Sequence, residues 1–576
     1  TTDESFRRIV DDLNHPVQQA LVEKPERGNQ LVLAGPGSGK TRVIVHRIAY
    51  LLRVRRVPPD SIIALAFNRS AASELRRRLL ALAGEDARRV TVLTYHAMAL
   101  RLTGTSLEAA ARVGREIDFD KLLKDATDLL EGRSDAFLAE DDARDQVLRG
   151  YEYIFVDEYQ DIDETQYALV SALAGRRLAD ADARLSIMAV GDDDQNIYAF
   201  KGANVEFIRR FQADYSGEVT YLVENFRSTQ NIIAASNHVI QRAKDRMKVD
   251  HPICINAARA SDPAGGGWQQ MDTVSRGCVR SLVAPASANL QAQVVMQELE
   301  RIRSIDPNVS WGEMAVLART HKSLEPLYAL CQTNGVRVEL PSREGDRGRV
   351  AVVKLREGQQ VIDLLRQRLS TLIRVGALLR WLHRHAAKER DNSHWRDLAA
   401  TVEDFAAGSA VDSVPAQEVL DALYEASHDA NRSGPSDALR LITAHGAKGL
   451  EFDHVVVMDC GDWPWDDENE RRLLYVAMTR ARQTLVAIRA EGGRNAYLTD
   501  LGTVDGVLEA LPEPRPVYRT VLDRRFVRLG PADVDLGLAG RRPASDPIHG
   551  WIAAVKPGDS LHVENRSIFD SQGHVV

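Results

Sequence analysis

The chain has 576 residues, of which 44% are hydrophobic and 27% charged. That length is too great for one hydrophobic core and predicts about three or four domains; no apolar stretch approaches the roughly 18–20 residues that cross a bilayer. A net charge of −8 excludes a protein coated in basic surface but leaves room for a locally positive groove. The four cysteines, Cys254, Cys278, Cys331 and Cys460, form no CxxC pair, which excludes a zinc cluster or disulfide framework and fits a reducing, cytoplasmic setting.

The first strong signal lies at Gly35-Pro36-Gly37-Ser38-Gly39-Lys40-Thr41. An apolar strand, Leu31–Ala34, precedes it, and Val43–Ile48 follows with apolar residues at helical spacing. Strand, glycine-rich turn and helix start are the context of a phosphate-binding loop, in which backbone N–H groups and the helix N-terminus curl round an anion. Lys40 would reach the outer phosphates of a nucleoside triphosphate, and the Thr41 hydroxyl would hold Mg²⁺.

Further apolar strands are predicted at Ile62–Phe67, Val90–Thr94, Tyr153–Val156 and Leu185–Val190, with helical patterns between them and a charge-rich helical interlude over about 101–148. Strands alternating with helices predict an α/β fold with parallel sheets, whose ligands sit at the carboxyl ends of the strands. A second strand–helix set is predicted from Val219–Val223 through Met314–Leu317, Ala438–Thr443 and His454–Met458. A polar helical insertion interrupts it over about 340–436. The expected division is therefore a first lobe at 1–218, a second at 219–500, and a linker with a small β-rich extension at 501–576. The chain opens on Thr1 and ends within a strand-like run at Gly573–Val576, which reads as a segment of something longer.

The strand Tyr153–Val156 delivers Asp157-Glu158-Tyr159-Gln160-Asp161. Two carboxylates at a strand end beside a phosphate loop suit metal-assisted hydrolysis: Asp157 for the metal, Glu158 to orient and deprotonate the attacking water. Four more strings share this character. They are Gly191-Asp-Asp-Asp-Gln-Asn-Ile-Tyr-Ala-Phe-Lys-Gly-Ala203, Glu224-Asn-Phe-Arg-Ser-Thr229, Thr443-Ala-His-Gly-Ala-Lys-Gly-Leu-Glu-Phe452 and Arg471-Arg-Leu-Leu-Tyr-Val-Ala-Met-Thr-Arg-Ala-Arg482.

In this order the six strings closely resemble the UvrD/Rep family of superfamily 1 DNA helicases. The resemblance implies two tandem RecA-like lobes with ATP and Mg²⁺ in the cleft between them, and 3′→5′ movement along single-stranded DNA. Single-strand/duplex junctions and repair or recombination proteins are the implied partners, in a bacterial, nucleoid-associated setting without a membrane.

Residue by residue, the resemblance implies that Gln18 reads adenine, although one extra residue after Asn14 leaves Gln19 open. Phe226 would stack on the base, and Glu451 would lie near the ribose. Gly35, Gly37, Ser38, Gly39, Lys40, Thr41 and Arg42 complete the nucleotide set. Gln195 would sense the γ-phosphate from the first lobe, and Arg227 and Arg480 from the second; a guanidinium there stabilises developing charge. Phe67, Asn68, Tyr95, His96, Tyr198, Phe200, Lys201 and His445 match family positions that contact DNA, where stacking tolerates any base. Both accessory insertions are expected to be short for the family, with duplex unwinding reduced accordingly.

Overall fold

The computed structural model describes residues 2–105, 118–133, 144, 147–339, 355–408, 413–428, 437–516, 542–543, 545–555, 559–564 and 567–575, apart from 26, 181, 370, 390, 391, 465, 466 and 494. It divides into two compact units. The first comprises residues 1–103, 119–341 and 431–526 and holds two parallel sheets; the second comprises 104–118, 342–430 and 527–576.

The first sheet is built from β1 (Gln30–Ala34), β2 (Ile62–Ala66), β3 (Thr91–Thr94), β4 (Tyr153–Val156), β5 (Ser186–Gly191) and β6 (Glu218–Leu222). They lie in the order β3-β2-β4-β5-β1-β6, all parallel. β1, β2 and β4 are buried along their whole length, as unbroken apolar runs covered on both faces must be. Because β4, β5 and β1 are neighbours, the acidic string, the Asp192–Gln195 string and the glycine loop emerge side by side at one sheet edge. That adjacency builds the site.

The 218/219 boundary expected from sequence is corrected here. Strand β6 pairs with β1, from Gln30 opposite Glu218 to Ala34 opposite Leu222, so it closes the first sheet instead of opening the second. The chain then leaves along β7 (Glu224–Asn225), which pairs with β8 (Cys254–Ile255).

The second sheet contains β9 (Val279–Ala284), β10 (Met314–Ala318) and β11 (Val338–Glu339). After β12 (Leu372–Arg374) and β13 (Ser413–Pro415), which pair with each other in the insertion, it resumes with β14 (Leu439–Thr443), β15 (Phe452–Met458), β16 (Ala481–Ala490) and β17 (Val507–Ala510). Its order is β11-β14-β10-β15-β16-β9-β17, again all parallel. The pairing of β17 with β9 carries the second lobe past 500, a second correction to the expected boundaries. Two all-parallel sheets with flanking helices are the two RecA-like lobes.

In the second unit, helices Arg356–Arg366, Val375–Lys388, Ser393–Gly408 and Ala416–His428 pack round a core that includes Leu382, Trp395, Leu398 and Val419. A short helix, Ile548–Ala554, and the hairpin of β18 (His562–Glu564) with β19 (Ser567–Phe569) represent the β-rich extension. Residues 106–117 and 134–143 of the first interlude, 429–436 and 517–541 lie outside the described residues.

Candidate functional site

The glycine loop owes its shape to two left-handed residues, Gly37 (φ +70°) and Gly39 (φ +87°). A Cβ at Gly37 would stand 2.8 Å from both Arg227 Cβ and Asn225 Nδ2, so only glycine lets the crossing strand pass this close. That strand is stitched to the loop: Phe226 N donates to Gly37 O (2.9 Å) and Asn225 Nδ2 to Pro36 O (2.8 Å). The loop opens into helix Lys40–Arg53, whose first N–H groups face the turn.

Lys40 Nζ is buried, makes no hydrogen bond, and lies 3.8 Å from Glu158 Oε2. The Thr41 hydroxyl donates to Asp157 Oδ2 at 3.0 Å. A hydroxyl and a carboxylate oxygen at this distance, with a second carboxylate adjoining, are the hard oxygen donors that Mg²⁺ prefers. An unsatisfied buried ammonium beside them suits a phosphate oxygen. The residues therefore fit a magnesium–triphosphate.

Glu158 adopts a left-handed backbone (φ +51°), and its N–H bonds to Asp157 Oδ1 at 2.9 Å. A non-glycine residue there costs about 1 kcal/mol or more, strain of the kind found where a side chain must be aimed. Asp157 is buried and Glu158 partly so, and the two titrate in opposite directions. Burial and the Glu158 charge push Asp157 up. Burial would raise Glu158 too, but Lys40, Lys448, Gln160 and Arg480 together hold it below the usual range. An ionised Glu158 is what a water-orienting base requires.

The opposing wall comes from the second lobe. Arg480 is 2% exposed; its guanidinium donates to Val476 O (2.9 Å) and reaches Gln195 Oε1 (3.4 Å). Burial and the neighbouring Arg227 bring its pKa down to about 9, which leaves it charged at neutral pH. Arg227 Nε bonds to Glu451 Oε2 at 2.6 Å and its Nη1 to Thr479 O at 3.1 Å. Glu451 is therefore Arg227's partner in this arrangement, where the family resemblance implied a ribose contact. Arg480 and Glu451 immediately precede β16 and β15, so the second lobe offers the amino ends of its strands, unlike the first.

Gln18 is fully buried and donates to Ser38 O at 2.8 Å, while its Oε1 has no hydrogen-bond partner. Gln19 turns away to Val10 O (3.2 Å), so the geometry favours Gln18 of the two alternatives. Arg42, half-buried, donates to Asp12 O at 2.8 Å. A cleft of about 450 Å³ opens beside Phe226 and Arg227, with Thr229, Arg259, Asp453 and Arg482 also on its walls.

A second group of expected residues gathers round Tyr198. Phe67 stacks on Tyr198 (centroids 5.5 Å, planes 14° apart), and Phe200 meets His445 edge-on at 5.3 Å. Phe200 is 64% exposed, an unusual display for a phenylalanine and a ready surface for a base. Asn68 caps helix Arg69–Ala83 by accepting from Ala71 N (2.8 Å), and the His96 ring meets Phe119 edge-on. The Lys201 side chain lies outside the described residues. Tyr95 is a correction. Its ring is 1% exposed, enclosed near Asp157 and Asp161, and is not placed to stack on DNA.

Sequence reasoning missed the buried charges that tie these parts together. Lys448 Nζ pairs with Asp161, donates to Gln195 O at 2.7 Å, and lies 5.1 Å from the Tyr198 ring centre. Lys248, 1% exposed, pairs with Asp192, whose other oxygen accepts from Gln195 Nε2 at 2.6 Å. Arg246 grips Asp194 through two bonds of 2.7 and 2.8 Å. Lys448 stands inside a string already singled out, so its neighbours gave the available signal; Arg246 and Lys248 stand in no such string.

Residues 18–201 match a family model described as an AAA domain, and residues 359–492 one described as a UvrD-like helicase C-terminal domain. The chain is 24% identical to ATP-dependent DNA helicase PcrA of Bacillus subtilis over 723 aligned positions, covering 98% of this chain and 93% of that protein. It is 26% identical to DNA helicase II of Escherichia coli, covering 84% of this chain and 85% of that protein. It is also 26% identical to ATP-dependent DNA helicase UvrD1 of Mycobacterium tuberculosis, covering 84% and 83% respectively.

Proposed function

Since the chain belongs to the UvrD/Rep family of ATP-dependent DNA helicases, we propose that it hydrolyses ATP with Mg²⁺ in the cleft between its lobes and converts closure of that cleft into 3′→5′ movement along single-stranded DNA. The observation that carries this reading is the contact of Arg480, on the second lobe, with Gln195, on the first, beside Lys40 and Glu158.

In this reading the glycine loop and Lys40 bind the phosphates, and Thr41 and Asp157 hold Mg²⁺, which neutralises phosphate charge. Glu158 orients the attacking water and accepts its proton. Charge developing on the transferred phosphoryl group is met by Lys40, Arg227 and Arg480, and removal of one such arginine costs roughly 10³–10⁵ in rate. For Arg227 to reach the phosphate it must exchange its bond to Glu451, so nucleotide binding changes a contact inside the second lobe. Because the γ-phosphate is touched from both lobes, its loss favours a different lobe arrangement. Gln18 and Phe226 hold the base. Phe67, Tyr198, Phe200 and His445 provide the stacking surface for DNA, on single strands and at junctions with duplex. A cytoplasmic, nucleoid-associated role in repair or recombination follows from the same family reading; no described helix is long and apolar enough to cross a membrane.

The test is phosphate release with and without single-stranded DNA, together with streptavidin displacement from oligonucleotides biotinylated at either end. The expected result is DNA-stimulated hydrolysis, abolished in Lys40→Ala, with displacement from the 5′ end only. Phe200→Ala should keep the basal rate and lose most of the stimulation. Hydrolysis indifferent to DNA, or displacement from the 3′ end, would overturn the reading.

A further inference from the structure

The string Leu13-Asn14-His15-Pro16-Val17-Gln18 carries one residue more between its asparagine and glutamine than the family spacing requires. His15 is 4% exposed. Its Nδ1 accepts the backbone N–H of Gln18 at 3.2 Å, capping helix Pro16–Glu23. An accepting Nδ1 leaves the ring proton on Nε2, the atom that lies 3.0 Å from Glu224 Oε1. The ring also meets Phe226 edge to face, with centroids 5.6 Å apart and planes at 71°, a favoured aromatic geometry.

Glu224 is itself a fixed anchor. Its carboxylate accepts from Asn256 Nδ2 at 2.6 Å and from Ala257 N at 3.0 Å. His15 is thus a strut between the first helix of the base pocket and the strand that carries Phe226. The two groups it braces have complementary tasks. Gln18 Oε1 is a buried acceptor in need of a donor, which the exocyclic amine of adenine supplies and the carbonyl oxygen of guanine does not. Phe226 presents the flat surface against which a purine lies.

We infer that His15 is a positioning residue for adenine selection, setting Gln18 and Phe226 at the separation that fits an adenine ring. This rests on the nucleotide reading given above. His15 touches neither the phosphates nor the DNA, so its loss should alter which base is held, and how tightly, without altering the chemical step.

The experiment compares the full chain with His15→Ala, His15→Asn and Glu224→Gln. Mant-ATP and mant-GTP are titrated in the presence of Mg²⁺, and kcat and KM for ATP and for GTP are measured with saturating single-stranded DNA. His15→Asn keeps a side-chain cap for the helix while removing the ring, so it separates helix stability from ring contacts and decides the matter where His15→Ala fails to fold. In both His15 variants the expected result is mant-ATP affinity weaker and KM higher by about 5- to 20-fold, with kcat within about twofold and the preference for ATP over GTP reduced to match. Glu224→Gln should show a smaller change in the same direction, and should add nothing on top of His15→Ala. An unchanged ATP/GTP preference in His15→Asn, or an equal loss of kcat with both nucleotides, would overturn the role of His15. A wild-type chain that binds both nucleotides equally would instead overturn the base-reading assignment of Gln18 and Phe226.

Discussion

Lys448 is the side chain on which the two kinds of contact in this cleft converge. Its ammonium neutralises Asp161, holds the Gln195 carbonyl, and lies against Tyr198 of the aromatic group. Burial, joined by the Glu158 charge, pushes Asp161 up to about 6, and the Lys448 charge acts against that rise. Gln160 Nε2 links the same carboxylate to Glu158, donating to Asp161 Oδ2 at 3.1 Å and to Glu158 Oε2 at 2.5 Å. Three side chains, Lys448, Asp161 and Gln160, therefore link Tyr198 to the residue that orients water. Lys448→Met should leave Asp161 buried without its partner, a change that typically costs about 3–5 kcal/mol when both charges are enclosed. The expected phenotype is a fall of about tenfold in DNA-stimulated hydrolysis with affinity for mant-ATP retained, since Lys448 has no contact with the glycine loop. Equal stimulation in variant and wild type, measured by phosphate release against DNA concentration, would remove Lys448 from the coupling path.

At the scale of strands and helices, most of the motifs were legible because they sit at a strand end, where an apolar run stops and polar residues begin; Arg471–Arg482 instead runs along the helix Glu468–Met478 into β16. Leu31–Ala34 and Tyr153–Val156 could be read this way, and the structure starts β1 one residue earlier and reproduces β4. What could not be read was partnership. Nothing in Val219–Leu222 says that it pairs with β1, because a half-exposed edge strand has the same composition on either sheet. Nor does Tyr95 announce its burial, since an aromatic in a motif string reads alike whether it faces a base or the core. Buried ion pairs are equally silent, for Arg246 and Lys248 gain meaning only when folding brings Asp192 and Asp194 to them. His454 on β15 is another such case. Its ring is 2% exposed, lies 2.8 Å from Thr484 Oγ1, and meets Trp268 edge-on. Burial brings its pKa down to about 4. Between that value and the ordinary histidine range near 6.5, the unfolded chain takes up a proton that the native ring refuses, so stability falls as pH drops through this window. The loss is bounded at roughly 3 kcal/mol. Urea midpoints measured from pH 7 to 5 should fall more steeply for wild type than for His454→Gln. Parallel curves would mean that the ring is solvated in the native state.

The whole molecule sets a limit on what the motor can do. The alignment with the Bacillus subtilis relative runs over 723 positions against the 576 residues here, so that relative carries segments this chain lacks. Both sheets and all six strings are present in this chain. The first-lobe insertion fits between His96 and Tyr153, and the second-lobe insertion packs four helices round a single small core. Hydrolysis and stepping need only the two sheets, the cleft and the aromatic surface. Opening duplex needs in addition a body that meets the junction and keeps the separated strands apart. Net charge points the same way: at −8 the surface as a whole repels DNA, and grip must come from a few local contacts. Each phosphate neutralised contributes about −0.7 to the slope of log affinity against log salt for a single strand, so a short track predicts a shallow slope. The chain should therefore displace streptavidin from single strands at low salt, yet separate a tailed duplex poorly under the same conditions. Strand displacement and streptavidin displacement, measured side by side at two or three salt concentrations, distinguish the cases. Efficient, processive unwinding by this chain alone would show that the small insertions suffice, and that the missing length in the alignment serves another purpose.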